Sequence, residues 1–363
     1  MEKKRDLQSL QVLRGIAALA VVVVHSLRAV TVNKGDLVLG APILADIPAL
    51  NRIGAYGVDI FFVLSGFLMV FISGSYLSGK KSVGNFLLLR AIRIWPMYAL
   101  CTLWVIAALL WSWHQSGKID FDLRPSRLAS FAFIPTMNEV GLVQPILSVG
   151  WTLNYEAGFY LSFALAMLLP YGSLLARLAV ILLGWQLAAL ALPGTVASLY
   201  LGNTIVAEFL FGAVIARLYQ TGRLSGIPPA LSLLAGIAVL VASSIGDPSD
   251  AWRFGTAGIG ASLLFIGFLR LDTGIQWPRA MVALGDASYS IYLTHLIVIY
   301  GHGKGMRIVH HLQPQTDLAV LFLTAYSVAL GYLAYRFIEA PLLAACRRQL
   351  RGHALAIAAK DGA

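Results

Sequence analysis

Charge is scarce in this sequence. Only 12% of its 363 residues are Asp, Glu, Lys or Arg, against 58% hydrophobic residues. A chain so short of charge cannot cover two or three soluble domains with polar surface, so it reads as a membrane protein. Cysteine is scarcer still. Cys101 lies in an apolar run and Cys346 in a basic stretch, too far apart in expected depth to bridge, which excludes a disulfide-stapled scaffold. Heptads and solenoid-length repeats are missing, which sets coiled coils and stacked-repeat folds aside. No clear small-x-small cleavage pattern follows the first apolar stretch, and Arg14 interrupts it, so the N-terminal segment reads as a retained helix and not a removable signal. Acids are the rarer charge, 17 against 27 Lys and Arg, for a net +10. In a soluble chain that excess would suggest nucleic acid as a partner. Here the cations fall between apolar runs, where retention of Lys and Arg in the cytosol explains them.

What is present is a succession of apolar runs, each near the roughly 20 residues that cross a bilayer. They cover residues 10–30, 54–77, 96–113, 148–169, 174–192, 200–219, 230–245, 253–271, 281–300 and 317–338. The expectation is an all-α, polytopic transmembrane bundle of about ten spans within residues 1–345, followed by a basic cytoplasmic tail, 346–363. Threading alternately puts Lys80, Lys81, Arg90, Arg93, Arg177, Arg217, Arg223, Arg270, Arg279, Arg347, Arg348 and Arg351 on the cytoplasmic side. Asp36, Asp46, Asp120, Asp122, Asp247 and Asp250 fall outside, and both termini inside.

An ionisable side chain within a span costs several kcal/mol unless it meets a partner or a wet cavity, so each is a functional candidate. Arg14 and His25 share the first helix, eleven residues or about 16 Å apart, and serve different depths. Asp59 falls in the outer third of the second span, Glu156 at a similar depth in the fourth, and Tyr292 and His295 approach that level in the ninth. These groups are expected to share an outer cavity, in which a carboxylate orients the imidazole and the imidazole acts as general base on a hydroxyl. The inner level holds Arg14, Arg90 and Arg93, with no carboxylate neighbour in sequence. Guanidinium groups suit phosphate, and a cytosolic donor carrying phosphates at one end and a reactive acyl group on a long arm fits both levels. Acyl-coenzyme A has that shape.

Each residue also has a plainer reading. Arg14 can set topology, Arg90 and Arg93 can be ordinary positive-inside charge, and Asp59 can serve a helix end. Tyr292 and His295 can be interfacial or satisfied core residues, and Trp151 an interface anchor as readily as a platform for substrate. Tyr56, Trp111, Trp113, Trp151 and Tyr155 suit a sugar-stacking entrance or an aromatic belt. His302, His310 and His311 flank a loop without a supporting ligand pattern, so no metal is expected. Ser26 and Ser65 lie close to candidate positions, but helical hydroxyls bond their own backbone, which favours direct transfer over an acyl-enzyme.

The ordered set LRGIAALAVVVVHS, GVDIFFVLSGFLMV, LLLRAIRIWPMYAL, SVGWTLNYEAGFYL and LGDASYSIYLTH resembles acyltransferase family 3, the integral membrane acyltransferases, over most of the chain. Within it the sequence is most similar to exopolysaccharide O-acetyltransferases of the ExoZ type. The resemblance implies a ten-helix core in a bacterial-type inner membrane that takes an acyl group, commonly acetyl, from cytosolic acyl-CoA to a hydroxyl of a saccharide or its lipid-linked precursor. The family's first-helix Arg and His fall on Arg14 and His25, its RxxR pair on Arg90 and Arg93, and its WTLxxE glutamate on Glu156. On that reading His25 is the base with Glu156 or Asp59 orienting it, the three arginines hold acetyl-CoA, and Trp151, Tyr155, Tyr292 and His295 bind substrate. A transporter or flippase for a polysaccharide precursor is the alternative, since buried charge at two depths also describes a pathway. The paired, Gly/Pro-broken inverted repeats of that class are not evident.

Overall fold

The computed structural model describes residues 7–32, 44, 47–117, 124–245, 253–271, 275–301 and 316–361. Among them the chain is helical apart from short connections, with one isolated antiparallel bridge, Met137 to Val143, and no strand. The helices are α1 (Gln8–Val32), α2 (Pro48–Ile72), α3 (Gly74–Leu77), α4 (Val83–Ser116), α5 (Trp151–Leu168), α6 (Leu174–Leu190) and α7 (Val196–Leu201). They continue with α8 (Val206–Gln220), α9 (Pro229–Ile245), α10 (Ile259–Leu271), α11 (Arg279–Asp286), α12 (Ser288–Gly301), α13 (Thr316–Ala334) and α14 (Ala340–Asp361). Single π turns at Phe254–Gly258 and Tyr335–Glu339 lead into α10 and α14.

Every expected apolar run is helical, but the spans are unequal. Among the described residues, six segments are long and apolar enough to cross a bilayer: Gln8–Val30, Gly54–Leu77, Val83–Ser116, Val196–Gln220, Phe254–Leu271 and Asp317–Leu350. A seventh results if α11 and α12, bent by 68° at Ala287, are counted together. The helices α6 and α9 are apolar but reach only 17 residues each, and Asn154 and Glu156 lower the hydropathy of α5. Two boundaries differ usefully from expectation. The helix expected to start at 96 begins at Val83, where the Ser82 hydroxyl accepts the Asn85 N–H at 3.1 Å, and ends at Gly117 in the left-handed conformation (φ 66°). Its 34 residues extend about 51 Å, so Arg90 and Arg93 belong to the helix and not to a flanking loop. The tail expected from 346 is likewise a direct helical continuation in α14. Both cysteines are free. The charges expected at Asp36, Asp46, Asp120, Asp122, Asp247 and Asp250, and the histidines His302, His310 and His311, lie outside the described residues.

Two close helix contacts set the frame. A Cβ on Gly66 of α2 would fall inside the Phe209 carbonyl of α8, and one on Gly212 of α8 inside the Val63 carbonyl of α2, so only glycine lets these backbones touch. The ring of Phe209 then stacks on Phe159 of α5 at 4.2 Å and 12°. On the other side, Gly285 at the end of α11 presses against the Gln11 carbonyl of α1, and a Cβ on Gly15 would meet the Gly285 nitrogen at 3.0 Å. These contacts fix α1 between α2 and the break before α12, which brings Arg14 and His25 to the middle of the molecule.

Candidate active site

Arg14, Arg90 and Arg93 converge. They line one cavity of about 120 Å³, together with Ser65 of α2, Glu156 and Tyr160 of α5, and Ser288, Tyr289 and Tyr292 of α12. Arg90 and Arg93 stand three residues apart, hence on one face of α4. Their surroundings differ. Arg93 is ion-paired with Glu339, which is 1% exposed and accepts a second hydrogen bond from the Ser290 hydroxyl at 2.6 Å. The Arg93 guanidinium also lies 5.2 Å from the Tyr289 ring, whose hydroxyl donates to the Ile94 carbonyl. Arg90 rests 6.0 Å from the Phe86 ring, and its buried Nε has no hydrogen-bond partner among the described residues. Arg14 donates to the Gln11 side chain at 3.1 Å.

The carboxylates are placed otherwise than expected. Glu156 sits in the arginine cavity, accepting from Ser65 Oγ at 3.1 Å and from the Tyr160 hydroxyl, and not beside His25. Ser65 is six residues, about 9 Å, further along α2 than Asp59, so Asp59 and Glu156 occupy different levels. Asp59 is fully buried and held bidentately by Arg253, Nε at 3.0 Å and Nη2 at 3.1 Å, while the same guanidinium reaches the Ala55 carbonyl at 3.0 Å. The fully buried Glu208 lies close to both. The physical reason is a cation at the mouth of its span: Arg253, leading into the turn before α10, is the partner that a buried carboxylate on α2 requires. The single outer cavity expected to unite His25, Asp59 and Glu156 is therefore replaced by three separate settings, Asp59 with Arg253, Glu156 in the arginine cavity and His25 elsewhere.

His25 has a different companion. Its ring centroid lies 4.9 Å from that of His295, tilted by 60°. His25 Nδ1 is 2.9 Å from the Val21 carbonyl and His295 Nδ1 is 2.6 Å from the Tyr292 carbonyl. A carbonyl only accepts, so Nδ1 carries the hydrogen in both rings and each neutral ring keeps its lone pair on Nε2. No carboxylate is needed to fix the tautomer; each helix does so with its own backbone. His295 is fully buried, and its Nε2 has no partner among the described residues.

Tyr292 joins the two levels. It lines the arginine cavity, its ring lies 5.9 Å from His295, and its hydroxyl is held by the Val149 carbonyl and Thr152 Oγ1, each at 3.0 Å. Trp151 and Tyr155 lie apart from the cavity: both meet the edge of Phe62 at 6.4 Å, and Tyr155 stacks on Tyr200 at 4.6 Å. Arg253, Glu208 and Glu339 were missed in the sequence. The rule that flagged Asp59 and Arg14 applies equally to Glu208 and Arg253 inside their spans. Glu339 stood one residue past an expected span end, where a carboxylate attracts no notice.

The profile of a family described as an acyltransferase domain matches residues 7–336, from the start of α1 into the turn before α14. The chain belongs to this acyltransferase family. As a member it is an enzyme, a multi-pass membrane acyltransferase. The chain is similar to the exopolysaccharide production protein ExoZ of Rhizobium meliloti (strain 1021), 32% identical over 80% of this chain and 90% of ExoZ. It is also similar to the acyltransferase MdmB of Streptomyces mycarofaciens, 25% identical over 93% of this chain and 92% of MdmB. No solved structure is a significant match.

Proposed function

We propose that this acyltransferase moves an acyl group, acetyl in the simplest case, from cytosolic acyl-CoA to a hydroxyl of a saccharide, an exopolysaccharide or its lipid-linked precursor. One observation carries the reading: three guanidinium groups face a single cavity, and a wall residue of that cavity, Tyr292, also touches the histidine pair. The likeness to ExoZ supports a saccharide acceptor. The arginines supply fixed positive charge for the donor phosphates, and the eleven residues between Arg14 and His25 leave about 16 Å for an arm that ends in a thioester. We assign the chain to a bacterial inner membrane with ten crossings, the shorter and bent helices completing the count, and both termini in the cytosol.

In the proposed reaction the acceptor oxygen attacks the thioester carbonyl while His25 Nε2 takes its proton. The carbon–sulfur bond then breaks and the imidazolium returns the proton to the departing thiolate, so the step is proton-neutral overall. His295 lies against His25 as the second lone pair at the acceptor hydroxyl. Ser65 lines the arginine cavity, whose wall includes neither histidine, so it lies away from the proposed base, which supports direct transfer. Asp59, engaged by Arg253, holds the frame and takes no part in the chemistry.

The test is thiol release from acetyl-CoA by the purified, lipid-reconstituted protein in the presence of oligosaccharide repeat units, with acceptor mass as a second readout. A base of this kind contributes about 10² to 10⁴ in rate, so His25→Ala should fall by that factor while remaining folded. Transfer at near wild-type rate by His25→Ala would end the proposal, as would movement of the saccharide across vesicles without any thiol release.

A further inference from the structure

The bend between α11 and α12 makes a new helix start, where the first N–H groups lack an acceptor in their own helix. Across it the Ala287 N–H reaches the Ala283 carbonyl at 3.1 Å and the Ile291 N–H reaches the Ala287 carbonyl at 3.0 Å. Ala287 itself lies between the two helices, so the N–H groups of Ser288, Tyr289 and Ser290 are those of the first turn of α12. The start of a helix always carries such orphan donors, and here the helix is 14 residues long, with a full share of dipole. A second observation points the same way. Ser288 is fully buried, lines the arginine cavity, and its hydroxyl has no partner among the described residues. A helical serine normally returns its hydrogen to the carbonyl four residues earlier. That carbonyl, on Leu284, belongs to α11, whose axis departs by 68°.

We infer that the first turn of α12, with Ser288 Oγ, is an oxyanion site that takes a phosphate group of the acyl donor. This deepens the donor reading given above and rests on it. The Glu339 carboxylate near this turn is already engaged by Arg93 and by the Ser290 hydroxyl, so it does not occupy the Ser288 donors. Arg14 and Arg90 on the facing wall supply charge to the same anion. Backbone N–H groups at a helix start combined with guanidiniums form a general phosphate cradle. The depth agrees: Ser288 precedes His295 by seven residues, about 10 Å along α12, which separates a phosphate from the reacting carbonyl by a stretch of linking arm. The site is therefore for the charged end of the donor and not for the tetrahedral oxyanion at His25.

The experiment is calorimetric titration of the full-length, nanodisc-embedded protein with three probes: coenzyme A, pantetheine, which is the arm without phosphate, and inorganic pyrophosphate. Wild type should bind coenzyme A well above pantetheine. Ser288→Ala should weaken coenzyme A and pyrophosphate about tenfold, the usual weight of a hydrogen bond to a charged group, and leave pantetheine unchanged. If Ser288→Ala does not fold, the near-isosteric Ser288→Cys, a weak donor, carries the same comparison. Coenzyme A affinity independent of Ser288 overturns the site, as does a wild type that binds pantetheine as tightly as coenzyme A. Ser288-dependent pyrophosphate binding without coenzyme A binding keeps the site and overturns the donor reading; binding of no probe overturns both.

Discussion

Removing the Glu339 carboxylate should separate what holds the protein together from what holds its donor. The residue is buried, ion-paired with Arg93 and bonded to Ser290 Oγ at 2.6 Å, so Glu339→Ala leaves an uncompensated guanidinium and an orphan hydroxyl in the interior. Breaking a buried pair from one side costs about 3–5 kcal/mol. Arg93 keeps 24% side-chain exposure, so water recovers part of that and the low end applies, about 3 kcal/mol. For a chain of this size that corresponds to a fall in Tm of about 5 °C, read by tryptophan fluorescence in detergent. The acetyl-CoA KM should rise as well, because Arg93 is no longer aimed into the cavity. The double variant Arg93→Met/Glu339→Leu removes both charges and should recover stability to within about 1 kcal/mol of wild type, while its donor KM stays high. Wild-type melting by Glu339→Ala, or a double variant no more stable than the single one, would refute the argument.

Arg90→Ala should behave differently from Arg93→Ala. With no partner for its Nε among the described residues, Arg90 can be lost with unchanged melting and a donor KM raised about tenfold, whereas Arg93→Ala should also destabilise; equal melting losses would contradict this. Asp59→Ala should lower folded yield by stranding Arg253, about 3 kcal/mol, and leave the acetyl-CoA KM of the surviving protein unaltered; a loss of turnover without destabilisation would instead make Asp59 catalytic. Gly212→Ala places a methyl inside the Val63 carbonyl and should yield aggregated protein on size exclusion. Gly184→Ala, which meets nothing within 4 Å, should be neutral or slightly stabilising; intact Gly212→Ala protein would show that α2 and α8 are not in backbone contact.

Apolar runs, scarce charge and basic connections were enough to read an all-helical membrane chain, because a bilayer demands about 20 apolar residues wherever it is crossed. Shortness and bending were not legible. The 17-residue helices α6 and α9 look like spans in composition, and the break at Ala287 depends on Gly285 meeting a backbone that is distant in sequence. In the site, Arg14, Arg90, Arg93 and His25 could be named because each is costly where it stands. Their partners could not. Periodicity places a side chain along its own helix, but whether Asp59 meets His25 or Arg253 depends on which helices are neighbours, and depth counted from approximate span ends put Glu156 one level too far out. His295 was identified, yet its contact with His25 joins helices 270 positions apart along the chain.

Since each imidazole is tethered to a carbonyl one turn earlier on its own helix, its aim is a property of that helix alone. A small shift of α1 would carry His25 with its Nδ1 tether intact, where an imidazole held by a carboxylate on another helix would lose its partner in the same displacement. In the proposed reaction both rings would thus present their Nε2 lone pairs without help from a third helix.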